Sequence, residues 1–138
     1  MSHTSLNLMR GRTLAFAAVV ELGTGFVMMI DPLRVAQLLL GEEISGAGAL
    51  LGRCFGIALF AQGLACWPNR ERCAEGSLPA FRSMLTYNAL IALYLAYLGT
   101  VGRAGGVLLW PAVAVHAVVG LLLAWTWRPR RAGMPLTE

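Results

Sequence analysis

Four apolar stretches of about 20 residues set the limits on what this chain can fold into. They cover 13–30, 46–67, 80–99 and 105–127. A bilayer core of roughly 30 Å takes about 20 helical residues to cross. Backbone inside hydrocarbon must satisfy its own hydrogen bonds, so stretches of this kind are helices. Composition agrees: 57% of the residues are hydrophobic and only 13% are charged, whereas a soluble domain carries about 25% charged residues. The fold expected is an all-α integral membrane four-helix bundle. It forms one domain over residues 1–138, with short tails at 1–12 and 128–138.

The breaks between the stretches are of two kinds. "WPNRERCAEGSLP" carries Pro, Gly and charges, and its Ser77 and Pro79 signal a helix start. "TVGRAGG" reads as a tight turn, and Pro111 beyond it either kinks the last helix or marks its true beginning. The first connection, "DPLRVAQLLLGEE", is different. Asp31 is placed to cap a helix, Pro32 suits its first position, and Gly41 can close it. This predicts a short helix between the first two spans, lying at the membrane surface or packed on the bundle. A cleaved signal peptide is the rival reading of the start. Glu21 interrupts that apolar run and no convincing cleavage site follows, which favours an uncleaved first helix.

All eleven basic residues are Arg. With the N-terminus in the cytoplasm, the inner side holds Arg10, Arg12, Arg70, Arg72, Arg82, Arg128, Arg130 and Arg131. The outer side holds Arg34 and Arg103, and the positive-inside rule then places both termini in the cytoplasm. Trp67, Trp125 and Trp127 fall at the inner interface, and Tyr94, Tyr97 and Trp110 toward the outer one.

Each apolar stretch also places one strongly polar side chain at a similar depth: Glu21, Arg53, Asn88 and His116. At roughly 1.5 Å of rise per residue, they lie about 10 to 16 Å from the outer helix ends, which is one level. Small residues share their helical faces. Glu21 lies between Ala17 and Gly25, Asn88 leads Ala92 and Ala96, and His116 lies between Ala112 and Gly120. Arg53 follows Ala49 and adjoins Gly48, Gly52 and Gly56, a GxxxGxxxG pattern that lets a neighbouring helix approach closely. An Arg at mid-membrane costs about 2.5–3.5 kcal/mol on insertion scales, so it needs a partner. The expectation is a buried polar layer in which Glu21 neutralises Arg53, with Asn88 and His116 completing the hydrogen bonds. The layer either fixes helix register or holds a ligand or proton, and Arg53 pairing instead with a lipid phosphate is a further alternative. Gln62 reads as a helix–helix hydrogen bond. Tyr87 reaches the same layer or faces a neighbour.

Several function classes are disfavoured. Cys54, Cys66 and Cys73 form no CxxC pair and lack a His at ligand spacing, so no metal site is expected and the thiols are read as reduced. The net charge of +4 is dispersed rather than gathered on a face, which argues against nucleic acid. There is no GxSxG, HExxH or P-loop, and "GTG" at Gly23 to Gly25 has no Rossmann context.

The layout resembles the DoxX-like group of small four-helix bacterial membrane proteins. The resemblance rests on "ELGTGFVMMIDPLRVAQLLLG" followed by "GRCFGIALFAQGLACWP", with "YNALIALYLAYLG" and "LLWPAVAVHAVVGLLLAW" matching the third and fourth helices. It covers nearly the whole chain, and it implies a bacterial inner-membrane location. Some members are implied to be membrane subunits of quinone-linked oxidoreductases, and no catalytic residue carries over. The functional expectation is a non-catalytic accessory or assembly subunit, or a homo-oligomer. Its partners would be the lipid bilayer and a second copy or another membrane protein. No cofactor is required by this reading. The alternative is a binding protein for a small amphiphile such as a quinone, with Arg53, His116 and Asn88 hydrogen-bonding its carbonyls. A proton or solute pathway ranks last, since only Gln62 extends the polar layer inward.

Overall fold

The computed structural model describes residues 3–67, 77–102 and 104–126. These form five α-helices: α1 (His3–Ile30), α2 (Pro32–Leu40), α3 (Ala47–Ala65), α4 (Ser77–Thr100) and α5 (Leu109–Thr126). No strand occurs among the described residues. Cys73, Trp127, the tail 128–138 and Arg70, Arg72, Arg103, Arg128, Arg130 and Arg131 lie outside the described residues.

α1 begins ten residues before the apolar stretch does, so most of the expected 1–12 tail is helical. Nothing in "HTSLNLMRGR" breaks a helix, and Thr13 joins the two parts by bonding back to Met9 O at 2.9 Å. The helix stops at Asp31, whose carboxylate accepts the Arg34 backbone N–H at 3.2 Å and so caps α2. Asp31 also pairs with the Arg34 side chain at 3.5 Å. Pro32 occupies the first turn of α2, where its missing N–H costs nothing. Gly41 closes α2 at φ 78°, a left-handed conformation that glycine adopts without penalty, and donates to Gln37 O at 2.9 Å. The short connecting helix therefore has the ends its sequence predicts. It buries Pro32 and Ala36 and exposes Leu33 and Leu38.

α3 packs along α1, and glycine sets how closely. A Cβ on Gly56 would stand 2.8 Å from Gly25 O, and one on Gly25 would stand 2.7 Å from Gly56 O. Further along α3, a Cβ on Gly63 would meet Ala18 O at 3.0 Å. Toward its other end, a Cβ on Gly52 would meet Pro32 Cβ at 2.7 Å. Gly52 and Gly56 thus belong to the helix-packing face read from the sequence, and Gly63 extends it. Gly48 does not reach α1; its nearest neighbour is Ile44 in the preceding loop.

α4 and α5 form the second closely packed pair, and α1 also meets α5. Pro79 and Pro111 each stand third in their helices, inside the first turn, so Pro111 marks a helix start and not a kink. The two halves join at both ends. At one end Leu14, Ala17 and Ala18 of α1, Cys66, Phe81 and Met84 of α4, and Val119 and Leu123 of α5 form the buried apolar core. Arg10 caps this end with its guanidinium 4.8 Å from the centre of the Phe81 ring. At the other end the turn before α5 is sewn to α2 by backbone alone. Gly105 N–H donates to Leu40 O at 3.0 Å, and Leu108 N–H donates to Leu38 O at 2.9 Å. Gly106 lies against Leu38 O and Leu39, leaving no room for a side chain.

Among the described residues, three helical segments are long and apolar enough to cross a membrane: Leu8–Ile30, Ala47–Ala65 and Leu109–Thr126. α4 is long enough at 24 residues but is not among them, its apolar run being diluted by Arg82, Tyr87 and Asn88. Large apolar side chains cover the outside of the molecule, among them Phe16, Val19, Leu50, Ile57, Leu93, Leu121 and Trp125. A surface of that kind is stable against lipid and not against water. Exposed Tyr94, Tyr97 and Trp110 lie toward the α2 end, and exposed Trp67 and Trp125 toward the opposite end. The chain has the build of a small helical membrane protein.

Candidate functional site

Between the apolar core and the α2 end, α1, α4 and α5 bring four polar side chains together. Glu21 of α1 and Asn88 of α4 are almost fully buried, at 1% and 2% exposure. His116 of α5 and Tyr87 of α4 are half-buried. The small residues on these helices make the closeness possible. Gly120 lies one turn beyond His116, and the space beside it is filled by the Asn88 side chain and the Ala89 backbone.

The hydrogen bonds fix the chemistry of each group. Asn88 Nδ2 donates to Met84 O at 2.9 Å, one turn back along its own helix. Its Oδ1 therefore faces α5, where His116 Nδ1 lies 2.9 Å away. An amide oxygen only accepts, so the His116 ring carries its hydrogen on Nδ1. In the neutral ring Nε2 is then an acceptor. The Tyr87 ring stands edge-on to the His116 ring with centroids 5.7 Å apart. The Tyr87 hydroxyl lies beside the Glu21 carboxylate and interacts with it, which brings α4 against α1. The cluster thus runs Glu21, Tyr87, His116, Asn88, and it ties three helices together through side chains.

Arg53 is not part of it. It lies on the exposed side of α3, and no described residue forms an ion pair with it. The expected Glu21–Arg53 pair does not form, for a reason of helical geometry. Successive helical residues are about 100° apart, so with Gly52 turned to Pro32 and Gly56 to α1, Arg53, one residue past Gly52, points off that face. Glu21 takes a hydroxyl, not a guanidinium, as its partner. Gln62 also departs from its expected part: its Nε2 is buried without a hydrogen-bond partner among the described residues.

Tyr87 gave a weaker signal in the sequence than the four strongly polar residues, because a tyrosine in a membrane helix equally suits an interface. Cys66, read as a small hydrophobe, packs in the core, and its Sγ lies 3.5 Å from Ala80 O. Cys54 and Cys66 are both free thiols, Cys54 exposed. No group of His, Cys, Asp or Glu among the described residues could hold a metal ion.

The arrangement bears on ligand chemistry. A quinone carbonyl needs donors. Arg53 is elsewhere, the described amide bonds of Asn88 are both internal, and neutral His116 offers an acceptor on its free nitrogen. Compared with models of protein families, with curated proteins and with solved structures, the chain matches none.

Proposed function

We propose that this chain is a small integral membrane protein of four crossing helices, acting as an accessory or assembly subunit or as a homo-oligomer. In this reading the buried cluster of Glu21, Tyr87, Asn88 and His116 fixes how the helices pack. The observation that carries it is the side-chain linkage of α1, α4 and α5 inside a molecule whose outside is apolar. In hydrocarbon there is little hydrophobic force to choose one helix register over another, so packing and interhelical hydrogen bonds do so. α4 belongs with the spanning helices on this reading. It packs along α5, and its polar Asn88 points inward, which removes the main obstacle to crossing. The arginine distribution supports an inner-membrane orientation with both termini in the cytoplasm. The resemblance to the DoxX-like group points the same way.

Association with a partner would not use the glycine face, because Pro32 of α2 already covers Gly52 and α1 covers Gly56. It would use exposed apolar surface, including Leu33 and Leu38 of α2. Native mass spectrometry of the protein, extracted from its own membrane in mild detergent, tests the proposal. A stoichiometric second protein, or copies of the chain, is the expected result. A monomer carrying a stoichiometric small molecule would replace it with a ligand-binding function. The role of the cluster is tested separately. Glu21→Gln keeps an oxygen acceptor for Tyr87 and should leave the thermal midpoint in detergent close to wild type, whereas Glu21→Leu should lower it.

A further inference from the structure

Arg53 sits where a cation has no protein to neutralise it. It is exposed on α3, a helix long and apolar enough to span a membrane. Its neighbours on the same side, Leu50 and Ile57, are 65% and 58% exposed. Arg53 is six residues beyond Ala47, the first residue of the helix, which places its Cα about 9 Å below the α2-side end. Helical side chains lean toward the helix N-terminus, and here that direction is outward toward the interface. The long aliphatic stem can run along apolar surface while the guanidinium rises to the headgroup level. An anion waits at that level in every phospholipid leaflet, and a guanidinium matches a phosphate with two parallel N–H···O bonds.

We propose that Arg53 is a phospholipid site: its guanidinium takes the headgroup phosphate of an anionic phospholipid in the leaflet on the α2 side, and Leu50 and Ile57 pack against the acyl chains. Anionic lipid is favoured over zwitterionic lipid because a zwitterionic headgroup carries its own ammonium, which competes for the same phosphate. The inference rests on the membrane-spanning reading of α3.

The test uses the full chain, purified in mild detergent and stripped of lipid. Phosphatidylglycerol or phosphatidylcholine with identical acyl chains is then added back, and bound lipid is read by native mass spectrometry. Wild type should hold one phosphatidylglycerol about fivefold more tightly than phosphatidylcholine, the ratio that one basic residue near an anionic surface confers. Arg53→Gln should abolish the preference, Arg53→Lys should keep part of it, and Arg12→Gln at the far end of α1 should keep all of it. Because Arg53 is exposed, the variants should retain wild-type circular dichroism, which separates loss of binding from loss of fold. Equal affinity for both lipids in wild type, or a preference untouched by Arg53→Gln, would overturn the proposal. So would an oligomer that Arg53→Gln dissociates without changing lipid retention, since the anion would then be a carboxylate of another chain. Release of the protein from membranes by alkaline carbonate would instead overturn the spanning reading itself.

Discussion

Asn88 uses both ends of its amide inside the helix packing, so removing it disturbs two elements together. Asn88→Leu would free the Met84 carbonyl to its own helix and strip the His116 Nδ1–H of its acceptor. Interhelical hydrogen bonds in membranes couple by about 0.6 kcal/mol on average and up to about 1.7 kcal/mol. A double-mutant cycle of Asn88→Leu and His116→Leu, followed by unfolding in mixed detergent, should give a coupling of that size. A coupling of zero would mean that the two side chains meet without stabilising the fold. Tyr87→Phe should weaken the link to Glu21 without opening a cavity, because the ring and its edge-on contact with His116 remain.

Among the elements, α3 carries the clearest contrast. Gly56→Ala would place a methyl 2.8 Å from Gly25 O, and the backbones must part to admit it. Overpacking of this kind costs about 1–3 kcal/mol. Gly48→Ala meets only the Ile44 side chain at 3.3 Å, which can shift, and alanine also improves helix propensity. The first variant should lose thermal stability in detergent and the second should not. The same helix marks how far the sequence could be read. The spacing of Gly52 and Gly56 announced a close helix contact, and α1 makes it at Gly56 while Pro32 of α2 covers Gly52. The spacing could not say that Arg53, one residue on from Gly52, therefore faces out, because placing it needs the partner's position. Glu21, Asn88 and His116 were legible as inward-facing from the small residues on their faces. Their true links were not, since Tyr87 takes the place beside Glu21 that Arg53 was expected to fill. The caps of α2 were legible outright, because Asp-Pro and a closing glycine act locally. The start of α1 at His3 was not, because a helix continues past its apolar stretch wherever nothing breaks it.

For the whole molecule, the pairs α1–α3 and α4–α5 meet through one buried core, the polar cluster and one backbone seam. Four crossings leave the two termini on the same side, and three would separate them. Reporter domains fused to each end should therefore report the same compartment, the cytoplasm in the orientation proposed above, and ends found on opposite sides would remove α4 from the membrane. The seam also has a consequence in time. Leu38 and Leu40 wait for donors that lie more than sixty residues further along the chain. At about 5–20 residues per second, synthesis leaves those two carbonyls without their partners for several seconds. α2 must hold its shape through that interval without the seam, and its ends, closed by Asp31 and Gly41, belong to the nascent protein as much as to the finished one.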